Sequence, residues 1–517
     1  MKKFAQTFES LKTQFMQNAD LEKKFSRQIL LETQRFSKED FTAEKREDFR
    51  RLHIVCIDPD GAKDHDDAIS LEETKEGYVL GVHIADVSHF VKAGSALDEE
   101  AKERGYTQYL PWTAVPMLPD ILSADLCSLK ENENRFSFSC IMSLDRKCKI
   151  RKYRFAKGLI KVSRSITYKQ AMDLFEKKDK EICLLARVAS GLKKYREASG
   201  VLEMDSTEYQ CEFSKKGEPL HIVPRKSVQS NSWIEECMLA ANKCCALELQ
   251  KRKLNGIYRI HEAPAPQDIT ELMQAEPNLF FGSPIDPNKL LKNYSEKNSQ
   301  DKRIFELYKH LVKKAKGNPI LTNKILRSMK KAQYSPECHG HFALHWKDYA
   351  HFTSPIRRYS DLWCHRELCG HKAHAKNVWH ELCEHLNEAE IKNQKTERKA
   401  LKLCTSYLLQ NQIGQTFKGE IQGIEEFGVF ISISSDTVAL ADGLVHLRDI
   451  PGDYYMYNEA KGILVGKRTG KTFKRGDRVS VKLINVNAVK GENDFEITPS
   501  PWHKQKHEKK NRRFGRQ

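Results

Sequence analysis

Five aspartates fall within ten residues of one another, immediately after a short apolar run near the start of the chain. Residues 54–57 are typical of a buried strand, and the Pro and Gly that follow predict a turn. Carboxylates packed this closely repel one another, which raises their pKa values and opposes a compact fold unless a cation lies among them. Because Mg²⁺ and Mn²⁺ prefer oxygen ligands, the turn predicts a site for Mg²⁺, with Mn²⁺ as an alternative. Four of the aspartates are the predicted ligands: Asp58, Asp64, Asp66 and Asp67.

The residues alone leave two other interpretations of this stretch open, a solvated acidic loop and a Ca²⁺ loop. The EF-hand pattern requires Gly and Glu at fixed offsets, and the stretch lacks them. An irregular turn favours convergence of the carboxylates, because a regular strand would point Asp66 and Asp67 to opposite faces. A second group of metal-ligating residue types, between residues 364 and 374, lacks the paired Cys spacing of structural zinc sites, so we expect no zinc there.

Four further segments follow the acidic stretch. They read Val115-Pro-Met-Leu-Pro119 with Leu126-Cys-Ser-Leu129, Trp233-Ile-Glu-Glu-Cys-Met-Leu-Ala-Ala-Asn242, Tyr258-Arg-Ile-His-Glu-Ala-Pro264 and His351-Phe-Thr-Ser-Pro-Ile-Arg-Arg-Tyr-Ser-Asp361. In this order the five segments resemble the ribonuclease II / ribonuclease R family. The metal-binding signature of that family reads Ile-Asp, five residues, then Asp-x-Asp-Asp-Ala. The resemblance covers residues 52–366, and any one segment alone would be a weak signal.

The resemblance implies an α+β fold in which a mixed sheet is surrounded by helices. We expect a helical, charged segment at residues 1–50, an RNB catalytic domain at 51–412, an S1-type OB-fold barrel at 413–498 and a basic, disordered tail at 499–517. Family members of the ribonuclease R type usually carry cold-shock domains ahead of the catalytic domain. We expect this chain to lack them, because about 50 residues leave no room.

Charge and cysteine usage narrow the class of protein. The 517 residues are enough for two to four domains, and the net charge of +17 indicates an anionic partner, nucleic acid before a membrane surface. The alternative is that the charge serves solubility alone. The 14 cysteines are scattered, and the chain carries neither a secretory segment nor an apolar run of membrane-spanning length. We therefore expect a cytoplasmic protein with reduced thiols, monomeric and not bound to a membrane.

Several residues acquire RNA-binding roles through the resemblance. Tyr109, on an expected loop, matches the family's tyrosine that clamps the terminal nucleotides, and Tyr168 matches a tyrosine near the cleavage point. Met204 stands where the family has a clamp phenylalanine, and a thioether cannot stack on a base as a flat ring does. Glu235 matches the position that accepts a hydrogen bond from the ribose 2′-OH, although a carboxylate near a helix start is commonly a favourable charge only.

The segment at residues 353–358 combines hydroxyls and guanidiniums at a predicted helix start. Helix N-termini and paired arginines both bind phosphate, so we expect Ser354 and Arg358 to contact RNA. The alternative for Arg358 is an ion pair with Asp361. Arg357 matches the family's catalytic arginine, which would neutralise charge on the scissile phosphate, and Asp66 is the second expected catalytic residue.

Residues after Gly414 form short alternating strands that resemble an S1-type OB-fold. The resemblance implies a stacking platform for nucleobases made of Phe427, Phe430 and His446. Because a strand alternates faces, at most one of the two phenylalanines is expected in the core. The Lys- and Arg-rich tail would bind phosphates without sequence preference.

The combined interpretation is a hydrolytic, processive 3′→5′ exoribonuclease closest to ribonuclease R. It would degrade single-stranded RNA, or RNA with a 3′ overhang, to nucleoside 5′-monophosphates by two-metal cleavage. One alternative is a non-catalytic RNA-binding or chaperone protein that retains the fold, and another is an endonuclease. The complete acidic set together with Arg357 favours the exonuclease.

Overall fold

The computed structural model describes residues 7–498, apart from residues 23, 37–40, 42–45, 205–206, 293, 295–299 and 371–375. The predicted basic tail therefore lies outside the described residues, as do two of the histidines considered for zinc.

Helices occupy the N-terminal segment, both faces of a central sheet and a long connection to the C-terminal part. Their bounds are α1 (Phe8–Asn18), α2 (Arg27–Thr33), α3 (Val87–Phe90), α4 (Ala96–Arg104), α5 (Tyr168–Glu176), α6 (Lys180–Ser199), α7 (Gln229–Lys251), α8 (Pro266–Ala275), α9 (Pro277–Phe280), α10 (Pro287–Lys292), α11 (Lys302–Ala315), α12 (Pro319–Arg327), α13 (Tyr359–Leu368) and α14 (Lys376–Leu409). Within the described ranges, no helix combines the length and the apolar character that a bilayer crossing needs.

Strands form one large sheet, one barrel and four small sheets. Their bounds are β1 (Glu47–Asp48), β2 (Ile54–Asp58), β3 (Asp67–Glu73), β4 (Gly77–Ala85), β5 (Gln108–Leu110), β6 (Thr113–Val115), β7 (Asn134–Asp145), β8 (Ile150–Lys161), β9 (Arg164–Thr167), β10 (Tyr209–Phe213), β11 (Pro219–Pro224), β12 (Tyr258–Ile260), β13 (Gln333–Ser335), β14 (Thr416–Glu425), β15 (Gly428–Ile433), β16 (Ala441–His446), β17 (Tyr455–Asn458), β18 (Ile463–Gly466), β19 (Thr472–Phe473), β20 (Arg478–Asn487) and β21 (Glu492–Thr498).

The large sheet is mixed, with the strand order β1-β8-β7-β4-β3-β2-β9. Each edge strand is parallel to its neighbour, β1 to β8 and β9 to β2. All other neighbouring strands in the sheet are antiparallel. Two apolar runs, residues 78–87 and 135–144, predict long strands, and the structure has them as β4 and β7, which pair from Gly77 opposite Asp145 to Ala85 opposite Ser137. Because β1 pairs with β8, the end of the N-terminal segment forms the edge of the large sheet.

Alternation along β2 shows how the sheet buries both of its faces. Val55 and Ile57 point to the core that α6 and α7 cover. Ile54 and Cys56 point to a second core, which contains residues of α4, α13 and α14. A strand that is apolar on both faces must lie between two helical layers. This placement fixes the end of β2, and hence Asp58, inside the molecule.

The C-terminal part contains a closed barrel with the strand order β14-β15-β16-β21-β20. This arrangement confirms the predicted α+β class with a following OB-fold barrel. Leu403 and Cys404 of α14, together with Phe8 and Leu11 of α1, belong to the same buried cluster as the barrel interior. Phe8 also packs edge-to-face on Trp112, with ring centroids 5.8 Å apart. Helix α1 therefore joins the barrel side of the molecule to the β5–β6 hairpin.

Candidate active site

The acidic turn connects two adjacent antiparallel strands, since Asp58 ends β2 and Asp67 begins β3. Gly61 supplies the positive φ of 77° that the turn requires. Ser128 fixes the far side of the turn: the His65 N–H donates to its Oγ at 3.1 Å, and this Oγ donates to the Lys63 carbonyl at 2.7 Å. The aspartates are therefore carried on a loop whose backbone is tied down.

Asp66 is the most buried of the four predicted ligands, with 5% of its surface exposed. Its Oδ1 accepts a hydrogen bond of 2.8 Å from the Ile356 N–H. Its Oδ2 lies 3.6 Å from Nε of Arg357 and accepts no hydrogen bond from any residue that the structure describes. Burial raises the pKa of Asp66 well above its usual range, and the Arg357 charge only partly opposes this rise.

The charges of Asp64 and Asp67 act on Asp66, and that of Asp58 acts on Asp67. Burial, followed by the charge of Asp58, raises the pKa of Asp67 to about 7. Asp64 accepts a hydrogen bond of 2.9 Å from the Tyr109 hydroxyl. Asp58 Oδ2 lies 2.5 Å from Nδ1 of His65, and this bond raises the pKa of the imidazole.

The donor chemistry of these carboxylates suits a hard divalent cation, although among the described residues no three of the aspartates have oxygens that all lie within 4.8 Å of one another. An orphaned buried oxygen on Asp66 and a neighbouring carboxyl with a raised pKa are what a bound Mg²⁺ would satisfy, because it supplies positive charge to oxygen ligands. The solvated-loop alternative does not suit a carboxyl as buried as that of Asp66. The residues that could hold the ion are the predicted ones, Asp58, Asp64, Asp66 and Asp67.

Arg357 lies on the segment that faces the acidic turn. Its side chain is 44% exposed, and its Nη2 donates to Oγ of Ser354 at 3.0 Å. It thus presents a guanidinium to solvent beside Asp66, as a phosphate-binding group must. Ser354 is buried, so its hydroxyl positions Arg357.

Arg358 forms the ion pair that the sequence left as its alternative. Its Nε and Nη2 donate to the two carboxylate oxygens of Asp361 at 2.9 and 2.7 Å. Burial alone would lower the pKa of Arg358, but Asp361 more than compensates and raises it. Asp361 also accepts from the Ser354 N–H at 2.8 Å and from the Ser360 hydroxyl at 2.9 Å. Arg358 and Asp361 therefore shape the segment that carries Arg357.

The prediction that Tyr109 lies on a loop is wrong, because Tyr109 lies in β5 opposite Ala114 of β6. The residues before it pair with the arginine segment: the Thr107 N–H donates to the Arg357 carbonyl at 3.1 Å. Tyr109 is 39% exposed, which leaves part of its ring free for contact. The hairpin, the arginine segment and the acidic turn thus meet at one place.

Tyr168 is brought to the same place by the sheet edge. It begins α5, directly after Thr167, which caps the helix and pairs with Asp58 across β9 and β2. Burial, followed by the charges of Asp67 and Asp58, raises the pKa of Tyr168. A second aromatic ring therefore borders the aspartates.

Glu235 and Met204 lie on other elements. Glu235 is exposed on α7, while its neighbour Glu236 is buried against Arg196, with a 2.7 Å contact to Nη2. Met204 packs against the cluster formed by α8–α12. It also lines a cavity of about 950 Å³, to which Glu420 and Gln422 of β14 contribute as well.

The proposed stacking residues lie on the surface of the barrel. Phe427 and Phe430 are 56% and 38% exposed, with ring centroids 6.0 Å apart and nearly perpendicular planes. His446 pairs with Gly428 across β15 and β16, which places it beside them. Neither phenylalanine is in the core.

The sequence prediction missed three contributors to the site. His65 lies inside the acidic motif but received no role, although a His between carboxylates is a recognisable signal. Ser128 belongs to the segment Leu126-Cys-Ser-Leu129, in which the resemblance assigned no role to any single residue. The Ile356 N–H could not have been found, because any residue except Pro would supply it.

Two known domain families match this chain. The profile of the RNB domain matches residues 46–374, and that of the S1 RNA binding domain matches residues 410–498. Ribonuclease R 1 and ribonuclease R 2 of Lactococcus lactis are 33% and 32% identical to the chain, over 88% and 91% of its length. The matched regions cover 56% and 72% of those proteins, so the chain spans little more than half the length of the first.

The fold has a solved counterpart. The RNA-free structure of Mycoplasma genitalium RNase R superposes with a TM-score of 0.83 at 28% identity, covering 94% of this chain and 77% of that one. A further structure of that protein contains ribose-methylated single-stranded RNA, with the same TM-score.

Proposed function

This chain belongs to the RNB family, the family of ribonuclease R, and on that premise we propose that it is a 3′→5′ exoribonuclease. The observation that carries the proposal is the pairing of Asp66 with Arg357. A buried carboxyl with an unpartnered oxygen lies 3.6 Å from a half-exposed guanidinium, and the Tyr109 hydroxyl donates to Asp64 of the same acidic turn. A non-catalytic RNA-binding protein would not need to keep so costly a buried charge.

We assign the chemical roles as follows. Divalent cations bound by Asp58, Asp64, Asp66 and Asp67 would activate water and stabilise the leaving oxygen in a two-metal arrangement. Arg357, held by Ser354, contacts the scissile phosphate and neutralises charge that develops there. The rings of Tyr109 and Tyr168 border the terminal nucleotides and hold them in line.

RNA binding extends from this site to the barrel. Phe427, Phe430 and His446 form a stacking surface that tolerates any base, because every base has an aromatic face. Glu235 and Met204 contact the strand nearer the cleavage site, and Arg358 supports Arg357 through Asp361 rather than binding phosphate itself. A strand held at both places can remain bound between cleavage steps, so we expect processive release of nucleoside 5′-monophosphates. All 14 cysteines carry free thiols, in keeping with the reducing cytoplasm.

The decisive experiment incubates the purified protein with 5′-labelled RNA that carries a 3′ tail, with Mg²⁺ present. We expect nucleoside 5′-monophosphates and a short 5′-labelled remnant, and no reaction when Mg²⁺ is chelated. A circular RNA of the same sequence should stay intact, since it has no 3′ end. Cutting of the circle would favour an endonuclease, and binding without any hydrolysis would favour the non-catalytic alternative.

Replacing Arg357 with alanine should lower the rate of hydrolysis by about a hundredfold, because one charge-stabilising contact to the reacting phosphate is lost. Single-turnover cleavage at saturating protein measures this rate. Arg187, which is 61% exposed on α6, provides the control, and Arg187→Ala should react at the normal rate. Equal rates for both variants would remove Arg357 from the catalytic machinery.

Replacing Phe430 with alanine should weaken RNA binding by about 1–3 kcal/mol, the value of one base stacked on an aromatic ring. Fluorescence anisotropy with an oligonucleotide long enough to reach the barrel measures the affinity. Ile484→Ala removes an exposed but non-aromatic side chain from the same barrel, and it should bind normally. If the two substitutions weaken binding equally, stacking is not the function of Phe430.

A further inference from the structure

Asp58 lies beside two side chains whose donor atoms Mg²⁺ does not prefer, the thiol of Cys56 and the imidazole of His65. The Cys56 Sγ lies 3.1 Å from Asp58 Oδ2, and the His65 Nδ1 lies 2.5 Å from the same oxygen. All three donor atoms lie within 4.8 Å of one another. Among the described residues this is a compact Cys, Asp and His set, and the proposed exoribonuclease mechanism uses only the aspartate.

The fold brings these groups together by two independent means. Cys56 and Asp58 are two residues apart on β2, so their side chains point to the same face of the strand. His65 returns to them across the turn, where its N–H is bonded to Ser128 and its carbonyl accepts from the Leu129 N–H at 3.0 Å. The donors therefore converge through backbone constraints as well as through their mutual hydrogen bonds.

The donor types favour a borderline cation over a hard one. Thiolate, imidazole and carboxylate are the ligands of Zn²⁺, and three such ligands with one open position are the pattern of open zinc sites. Tetrahedral Zn–S and Zn–N/O bonds of about 2.3 and 2.0–2.1 Å place neighbouring donors about 3.3–3.6 Å apart. The present 3.1 and 2.5 Å separations reach that range if the Asp58 carboxylate withdraws by less than about 1 Å, a small side-chain rotation.

We propose that Cys56, Asp58 and His65 form a binding site for a zinc-type cation, and that its occupation inhibits the enzyme by withdrawing Asp58 from the magnesium ligands. Binding releases the thiol proton of Cys56 to water and displaces the Nδ1 proton with which His65 donates to Asp58, either to Nε2 of the same ring or to water, so that metal bonds replace both hydrogen bonds to Asp58 Oδ2. The site itself does not depend on the proposed nuclease activity. Its inhibitory effect does depend on that activity, because it requires Asp58 to serve two metals.

Titration of the full-length protein with Co²⁺, without RNA, tests the site directly. Thiolate-bound Co²⁺ gives a charge-transfer absorption in the near ultraviolet, which bound aspartates alone do not give. We expect this band in the unmodified protein and its loss on addition of Zn²⁺. Cys56→Ser and His65→Gln should each weaken Co²⁺ binding by at least about tenfold, and Cys56→Ser should abolish the band. A protein that gives no band, or a Cys56→Ser variant that keeps it, would overturn the proposal.

Two controls keep the outcome clear. Cys140→Ser alters a buried cysteine of β7, on the opposite face of the same sheet, and should leave the band unchanged. If Cys56→Ser does not fold, Co²⁺ binding by His65→Gln still tests the site. This variant is expected to fold because His65 is only partly buried.

Inhibition is measured separately. Zn²⁺ should slow magnesium-dependent RNA hydrolysis by the unmodified protein, excess Mg²⁺ should relieve it, and Cys56→Ser should be at least about tenfold less sensitive. Hydrolysis that is equally sensitive in both proteins would overturn the inhibitory part of the proposal. A cobalt band in a protein that never hydrolyses RNA would instead refute the proposed function and leave the metal site standing.

Discussion

Asp66→Asn should lower the rate of RNA hydrolysis by at least about a thousandfold, or about 4 kcal/mol, and leave RNA affinity unchanged. Asparagine has nearly the same shape and still offers an oxygen to the Ile356 N–H, so the turn and the arginine segment remain in place. What it lacks is the negative charge that a divalent cation and Arg357 both require. Because burial already disfavours that charge, its removal should not destabilise the fold.

Single-turnover cleavage and anisotropy-based binding, both with Mg²⁺, separate the two quantities. Asp60 lies on the same turn, is exposed and is not a proposed ligand, so Asp60→Asn is the matched control and should cleave normally. If Asp66→Asn still released mononucleotides at the normal rate, the assignment of the acidic turn as the catalytic centre would be wrong. A loss of RNA affinity equal to the loss of rate would point to a binding role instead.

Asp361→Ala should lower the free energy of unfolding by about 3–5 kcal/mol, the usual cost of removing one partner of a buried ion pair. Asp361 is fully buried and accepts from the Ser354 N–H, the Ser360 hydroxyl and both donors of the Arg358 pair. Alanine would leave a buried guanidinium without a counter-charge. Denaturant unfolding followed by circular dichroism measures the change.

The chain offers a matched exposed pair. Arg50 also donates twice to a single aspartate, Asp48, at 2.8 and 2.7 Å, but both side chains are largely in water. Asp48→Ala should therefore leave the unfolding midpoint unchanged, because solvent screens such pairs. If the two substitutions had similar effects, burial would not be what makes the Arg358–Asp361 pair important.

Much of the fold followed from the sequence because the signals were local. The apolar runs at residues 78–87 and 135–144 predict strands, and the apolar stripe at residues 232–256 predicts a helix. The structure has these elements as β4, β7 and α7, with bounds that differ from the predicted ones by at most five residues. The acidic turn was recognisable for a similar reason, since repulsion among adjacent carboxylates is visible in the sequence. The hairpin that carries Tyr109 was not, because its two three-residue strands are too short to show a periodicity.

The remainder of the site depends on contacts between distant segments. Asp66 meets the Ile356 N–H across 290 positions, and Tyr109 meets Asp64 across 45. No pattern in a single sequence encodes such a pairing without a family resemblance. The choice between two roles for Arg358 is of this kind as well. The sequence names both possible partners, RNA phosphate and Asp361, but only the folded structure shows that the guanidinium donates to Asp361.

The position of α1 limits how freely the two halves of this molecule could be exchanged with those of a relative. Phe8 contacts Trp112 of the β5–β6 hairpin, Phe213 of β10 and Tyr407 of α14. A chimera that imported a foreign barrel would have to preserve this aromatic junction, or carry its own version of the first helix. Helix α1 and the barrel therefore depend on one buried cluster, although some 400 residues separate them in the sequence.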